Sequence, residues 1–240
     1  MALDRIDKIL SSQNIAARSE IKRMIRSGLI LADGRRVMRP EEKYDPETTV
    51  FTVSGKTVEF SRFVYIMMNK PAGVLSASSD KHAKTVIDLL PADMKRRGLF
   101  PAGRLDKDTV GFILITNDGE LAHKMLSPKS HVYKLYEVQC DRDLTNDDAA
   151  AFAKGITIGD IECQPAEMKL TGNKTALVEI CEGKFHQIKR MFHAVGAEVT
   201  ALKRVRIGKV CLDEALGQGE ARYLNKQEII DILSRKHGIP

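Results

Sequence analysis

Two aspartates stand two residues apart in Gly103-Arg104-Leu105-Asp106-Lys107-Asp108-Thr109-Val110-Gly111. The apolar run Phe112-Ile113-Leu114-Ile115 follows, and Thr116-Asn117-Asp118-Gly119 closes it as a turn. The order predicts a polar loop, a buried strand and then a helix, with Glu120 complementing the helix N-terminus. A loop carboxylate beside a dry strand can be a nucleophile or a general base, because burial and a cation partner set its reactivity. The same residues can also simply cap or turn the chain, as most such loops do. A second group is His131-Val132-Tyr133-Lys134-Leu135-Tyr136-Glu137-Val138. Strand alternation puts Lys134, Tyr136 and Val138 on one face and Tyr133, Leu135 and Glu137 on the other. A tyrosine beside a lysine can stack on a nucleobase while the cation reaches phosphate. Taken alone, Tyr136 also fits an ordinary core position.

A third group is Glu182-Gly183-Lys184-Phe185-His186-Gln187-Ile188-Lys189-Arg190-Met191-Phe192. It predicts a helix running to Val195 and stopped by Gly196, burying Phe185, Ile188, Met191 or Phe192, and Val195. Lys184, Lys189 and Arg190 supply cations at its start and flank. His186 and His193 are seven apart and share a side, but no third ligand accompanies them. They read as surface or packing histidines, and no metal is expected. The basic strand Leu202-Lys203-Arg204-Val205-Arg206-Ile207 follows.

Whole classes of function drop out. No nucleotide-binding P-loop or dinucleotide glycine fingerprint is present, so no cofactor is expected. The four cysteines are isolated, with no CxxC, as in a reduced cytoplasmic protein. The longest apolar stretches, residues 63–68 and 110–115, are too short to cross a bilayer, and Asp4, Arg5, Asp7 and Lys8 leave no signal-peptide core. With 240 residues, 43% hydrophobic and 29% charged, the chain should form one or two globular domains. A net charge of +6 permits a polyanionic partner.

Something must position these groups, and the chain divides for that purpose near residue 60. Residues 1–40 hold nine basic and four acidic side chains. Leu3, Ile6 and Leu10 give a first helical stripe. A second helix, with Ser19 as its cap, turns Ile21, Met24 and Ile25 inward and lines Arg18, Lys22 and Arg26 along an outer face until Gly28 stops it. A hairpin turning at Asp33-Gly34 brings in Arg35, Arg36 and Arg39, and short strands flank Ser54-Gly55. A solvated helix face is the bland account of such charge. So much of it on so small a module favours contact with a phosphate backbone. Beyond residue 60, strands alternate with a few helices. Among these are a short helix over residues 85–90 ended by Pro91, and a terminal one over 224–235 with Leu224, Ile229 or Ile230, and Leu233 inward.

These motifs carry two resemblances. Residues 2–50 resemble the S-four-like RNA-binding domain, the αL motif of a ribosomal protein, with Asp33-Gly34 where Asn-Gly is usual. GRLDKDTVGFILITNDG resembles the catalytic segment of the RsuA family of bacterial rRNA pseudouridine synthases. The same family carries an NKPxG segment (Asn69 to Gly73), a KxYxV strand (Lys134, Tyr136, Val138) and an EGxxHQxKRM helix start (Glu182 to Met191). All four occur here in the family's order, so the resemblance spans essentially the whole chain.

The resemblance implies an α+β protein. An S-four-like RNA-binding domain, residues 1–60, would precede a catalytic domain, residues 61–240, with a mixed, mostly antiparallel sheet. It implies an isomerase that turns one rRNA uridine into pseudouridine without a cofactor. Asp106 would be the catalytic aspartate, Tyr136 the ring stacked on uracil, Lys189 the cation paired with the aspartate, and Arg104 the residue that helps displace the base. Lys134, Lys184 and Arg190 would contact RNA in the catalytic domain, and Arg5, Lys8, Arg18, Lys22 and Arg26 in the first. Asp108 falls at a variable position of the pattern. The segment EGKFHQIKRMF and the chain length lean towards small-subunit (16S) rRNA. The expected partner is rRNA or a ribosomal assembly intermediate, with no membrane, and the expected chain is a cytoplasmic monomer. A synthase acting on large-subunit rRNA and an assembly factor on a synthase scaffold are the alternatives. A glycosidase using Asp106 and Asp108 is a poorer fit, because such enzymes need carboxyls flanking the bond from separated positions.

Overall fold

The computed structural model describes residues 3–235 and 238–239. Two compact units result: Met1–Val64 with Pro91–Leu99, and Tyr65–Leu90 with Phe100–Pro240. In the smaller unit, helices Ile6–Ser12 and Arg18–Arg26 accompany a four-stranded antiparallel sheet ordered Arg35–Arg36, Ile30–Ala32, Phe51–Val53, Lys56–Val58. Ile6, Ile9, Leu10, Ile21, Ile25, Ile30 and Phe51 share one buried core. Asp33 and Gly34 both take positive φ, 48° and 76°. A two-residue turn of that hand matches the twist of the strands that it joins.

Three local expectations change here. Leu3 lies ahead of the first helix and is 59% exposed. Ser19 sits inside the second helix, whose N-cap is Ala17 with no side chain closing it. Residues 91–99 pack back on this unit, an association that chain order does not foretell. Arg96 Nη1 donates to Gln13 Oε1 at 2.6 Å and to the Ser61 carbonyl at 3.2 Å, and Asn14 Nδ2 donates to the Ala92 carbonyl at 3.1 Å.

The larger unit is built on a mixed sheet. Its main path runs Glu167–Gly172, Thr175–Ile180, Lys134–Cys140, Val199–Ile207, Val110–Thr116, Tyr65–Lys70, Ala221–Tyr223. Every pairing on this path is antiparallel except Val199–Ile207 with Val110–Thr116. The parallel contact sets Arg204 against Gly111. Gly111 has φ +98°, and a Cβ there would meet the Arg204 carbonyl oxygen at 2.3 Å. Only glycine lets the backbones approach so closely at that angle. Residues 112–115 are fully buried, which explains their unbroken apolar run.

Helix Gly119–Leu126 follows that strand. Its cap is Asp118, whose Oδ1 accepts from the Glu120 and Leu121 amides, each at 3.0 Å. Helix Asn146–Lys154 carries a full capping box between Thr145 and Asp148. The expected helix over residues 85–90 is replaced by turns. Asp88 Oδ2 accepts from both the amide and the hydroxyl of Thr85, at 2.8 and 2.9 Å, offering the backbone a local alternative in a stretch too short for stable helix. The terminal helix is shorter than expected, Lys226–Asp231, capped by Asn225. Leu224 is buried just ahead of it and Ile229 packs partly inward, whereas Ile230 is 67% exposed.

Candidate active site

The loop that carries Asp106 is fixed from beneath by Lys70. This side chain is fully buried, and its ammonium donates to the carbonyls of Pro71, Asp106, Lys107 and Thr109 at 3.1, 3.1, 3.2 and 2.8 Å. Ser76 Oγ adds a reciprocal pair with Leu105, donating to its carbonyl at 2.8 Å and accepting from its amide at 3.0 Å. The Gly73 amide donates to the Lys107 carbonyl at 2.7 Å. The segment Asn69 to Gly73 is therefore a clamp on the aspartate loop. Burial pulls the Lys70 pKa down to about 8, against the pull of Asp108 and Asp106.

Asp106 is partly exposed and faces a histidine and a lysine from one short stretch. His186 Nε2 lies 3.4 Å from its Oδ1, and Lys189 Nζ lies 3.5 Å from its Oδ2. Lys189 is held more tightly by Asp108, donating to both its oxygens at 2.6 and 2.7 Å. That bond keeps the Asp108 carboxyl below its usual range. Lys189 thus lies beside Asp106, as the sequence pairing expects, and serves Asp108 as well. The Asp108 side chain is 73% exposed, so this pair adds at most about 1 kcal/mol to stability.

His186, expected with His193 as a surface or packing side chain, is exposed, but it does not share a helix face with His193. The helix begins only at Gln187, and His186 is its left-handed N-cap, with φ 48°. That turn aims its ring at Asp106, while His193 pairs with Glu198. The late helix start also corrects Phe185, which was expected inward and is 75% exposed. Val195, at the helix C-cap, is only partly buried.

Tyr136 is buried at 8% exposure and borders the same cleft, a space of about 60 Å³ that Arg104, Asp106, Thr109, His186 and Lys189 also line. Its walls are apolar: Leu105, Ile180, Ile188 and Leu202. Arg204 holds the ring. Its Nη1 donates to the Tyr136 hydroxyl at 3.5 Å, its guanidinium carbon lies 6.0 Å from the ring centroid, and its Nε donates to the Phe112 carbonyl at 2.7 Å. Arg204 is 4% exposed, so a residue that reads as one charge on a basic strand is an internal brace. Arg104, by contrast, stands exposed at the cleft.

Several expected RNA contacts point elsewhere. Lys134 is 5% exposed, and its ammonium donates inward to the Cys181 carbonyl at 3.4 Å, so it is no surface phosphate contact. Burial, with Arg204 nearby, lowers its pKa to about 8. Lys184 is tied to the Glu162 carbonyl and to Glu182 Oε2, and Arg190 donates to the Ile158 carbonyl at 3.1 Å. Both fasten the helix start to the hairpin of Thr157–Ile158 and Ile161–Glu162. In the smaller unit Arg5 pairs with Asp7 and Lys8 with Asp4. Arg18, Lys22 and Arg26 stand exposed on their helix. Among the described residues, no group of three or more His, Cys, Asp or Glu could hold a metal ion, and no helix is long and apolar enough to cross a membrane.

The burial of Lys134 has a measurable consequence. Its folded pKa lies below the ordinary 10.5, so the unfolded chain binds the extra proton between about pH 8 and 10.5. The Lys134 contribution to stability therefore rises with pH through that window. Lys134→Met is expected to be more stable than wild type at pH 7 by about 2–3 kcal/mol. The gain should shrink towards zero near pH 10.5, as read by chemical denaturation across pH.

The RNA pseudouridylate synthase family pattern matches residues 64–194, and that of the S4 domain matches residues 4–50. The chain belongs to the RNA pseudouridine synthases. An uncharacterized RNA pseudouridine synthase of Bacillus subtilis (strain 168) is 44% identical over 230 residues, covering 94% of this chain and 96% of the relative. Ribosomal small subunit pseudouridine synthase A of Vibrio cholerae is 37% identical over 231 residues, covering 95% and 99%. A crystal structure of a pseudouridylate synthase superposes with a TM-score of 0.66 at 32% identity, covering 95% of this chain and 99% of that one. As a pseudouridine synthase the protein is an isomerase: a C–N glycosidic bond is exchanged for a C–C bond within one nucleotide of RNA.

Proposed function

We propose that this pseudouridine synthase acts on one uridine of small-subunit (16S) rRNA, with Asp106 as the reacting carboxylate and without a cofactor. The observation that carries the reading is the position of Asp106. It opens into a cleft with a braced tyrosine and is flanked by His186 and Lys189. Relatives that cover nearly the whole chain bear the name ribosomal small subunit pseudouridine synthase A, in Vibrio cholerae and in Escherichia coli (strain K12), the latter 35% identical.

The reaction is balanced without an external group. The N1–C1′ bond breaks, the C1′–C5 bond forms, the C5 proton leaves and N1 gains a proton. The chain must extrude the uridine from its stack, and Arg104, exposed at the cleft, helps to displace it. Asp106 meets the sugar or the base as a nucleophile or base, with the Lys189 ammonium 3.5 Å from its carboxylate. Tyr136 and the apolar walls retain the detached uracil while it turns. Residues 1–60 add affinity through backbone charge, chiefly Arg18, Lys22 and Arg26, and residues 61–240 do the chemistry. The substrate is rRNA or an assembly intermediate, met in the cytoplasm by a monomer.

Pseudouridine-specific mapping of rRNA from cells lacking the protein tests the reading. One 16S site should lose its modification, with wild type restoring it and Asp106→Asn failing to. Loss at a large-subunit site would move the target. Unchanged maps would leave an RNA-binding assembly role.

A further inference from the structure

Phe185 is the most exposed large apolar side chain among the described residues, at 75%. It does not stand alone. Its ring lies parallel to that of His186, with centroids 3.8 Å apart and planes 18° apart. His186 in turn faces Asp106, so Phe185 is one ring layer outward from the reacting carboxylate. The turn that presents the pair is rigid. Buried Glu182 Oε1 accepts from the Gln164 amide at 2.9 Å and from Gln187 Nε2 at 2.6 Å, and Gln187 Oε1 accepts from the Lys184 amide at 2.9 Å. Left-handed backbone at a non-glycine residue such as His186 persists only where its surroundings over-determine it. A fixed, solvent-facing aromatic at the mouth of a cleft that receives RNA is a stacking platform in waiting.

We propose that Phe185, backed by His186, stacks on the base adjacent to the target uridine and holds the strand open while that uridine is extruded. The proposal rests on the cleft being the uridine site. Extruding a nucleotide leaves its neighbour without one stacking partner, and an aromatic face replaces that contact for any base. Phe185 is thereby a binding residue for the flanking nucleotide, distinct from Tyr136 inside the cleft.

The test uses the full chain and an RNA transcript containing the uridine mapped as above. Phe185→Ala should raise KM roughly five- to hundredfold, the range of alanine substitutions at base-stacking sites, with kcat within about threefold. Phe185→Tyr should restore KM and Phe185→Leu should not, because leucine keeps the apolar bulk but lacks a π-face. With 2-aminopurine placed on either side of the target uridine and Asp106→Asn as the background, one of the two positions should be quenched on binding. Phe185→Ala in that background should abolish the quenching. Unchanged KM and quenching in Phe185→Ala, or full activity of Phe185→Leu, overturns the proposal. Should Asp106→Asn itself turn over normally, the cleft reading fails first. Should it be inert while Phe185→Ala behaves as wild type, only the stacking platform fails.

Discussion

Asp106→Asn loses pseudouridine formation by on the order of 10³-fold or more, while Asp108→Asn stays within about tenfold of wild type. The contrast is sharp because the two carboxylates are two residues apart and share one ammonium. Asparagine keeps the size of Asp106 and its place in the loop, so lost turnover reports the lost charge. Asp108 is 73% exposed and does not border the cleft. Its removal frees Lys189 to approach Asp106, leaving that ion pair intact. Single-turnover assays on RNA, with RNA affinity measured alongside, read both variants. Equal damage from the two substitutions would assign the chemistry to the pair rather than to Asp106.

Lys70→Met is expected to reduce kcat by roughly 10²-fold without touching the cleft, because an ångström of misplacement at the reacting group costs about that much. Methionine has nearly the shape of lysine but no donor. Four carbonyls of the aspartate loop and its clamp then lose their shared partner. Each acceptor left buried without water costs about 1–3 kcal/mol. Relief of the buried charge offsets part of this, so the chain still folds while the loop relaxes. Lys70→Arg does not rescue, since the wider planar guanidinium has no room in a fully enclosed site. RNA affinity and far-UV circular dichroism should remain near wild type, separating a displaced Asp106 from an unfolded chain.

The same lysine gives the wild type an alkaline limit. With its pKa at about 8, Lys70 loses its proton above that pH, and the neutral amine keeps two hydrogens instead of three and no charge to hold the four carbonyls. Activity should fall as pH rises through about 8. The folded pKa is depressed, so the unfolded chain carries the extra proton between about 8 and 10.5, and the Lys70 contribution to global stability rises across that window. Activity and this part of stability move in opposite directions, which profiles of kcat and of denaturation midpoint against pH would reveal.

What the sequence disclosed depended on how local each determinant is. Strand Val110–Thr116, helix Gly119–Leu126 and the Asp33-Gly34 hairpin are written in apolar runs and turn chemistry, and they formed where expected. The mixed sheet and the meeting of Asp106, Tyr136 and Lys189 followed from motif resemblance, since no spacing predicts that residues 106, 136 and 189 converge. Phe185 departs from its expected inward place because helical periodicity does not extend back across the left-handed cap at His186. Lys134 was placed on the correct strand face beside Tyr136, but alternation says which residues share a face and nothing of what covers it. Lys70 and Arg204 were invisible as braces, because their partners are carbonyls and a tyrosine brought from elsewhere in the chain.

The parallel strand pair also dictates when the enzyme can exist. Gly111 meets Arg204, a partner synthesised 93 residues later. At roughly 5–20 residues per second, a ribosome needs about 5–20 s to cover that gap. Throughout it, the strand that emerges from the aspartate loop has Tyr65–Lys70 on one edge and Phe100–Ala102 along residues 114–116 of the other, but Val110 and Gly111 lack their partner on that edge and the tyrosine lacks its arginine. The basic N-terminal helices need no such wait, because their core closes within residues 6–53. Nascent chains therefore pass through a stage in which the basic module can close its core while the catalytic sheet cannot, and catalysis waits for the central strand to dock.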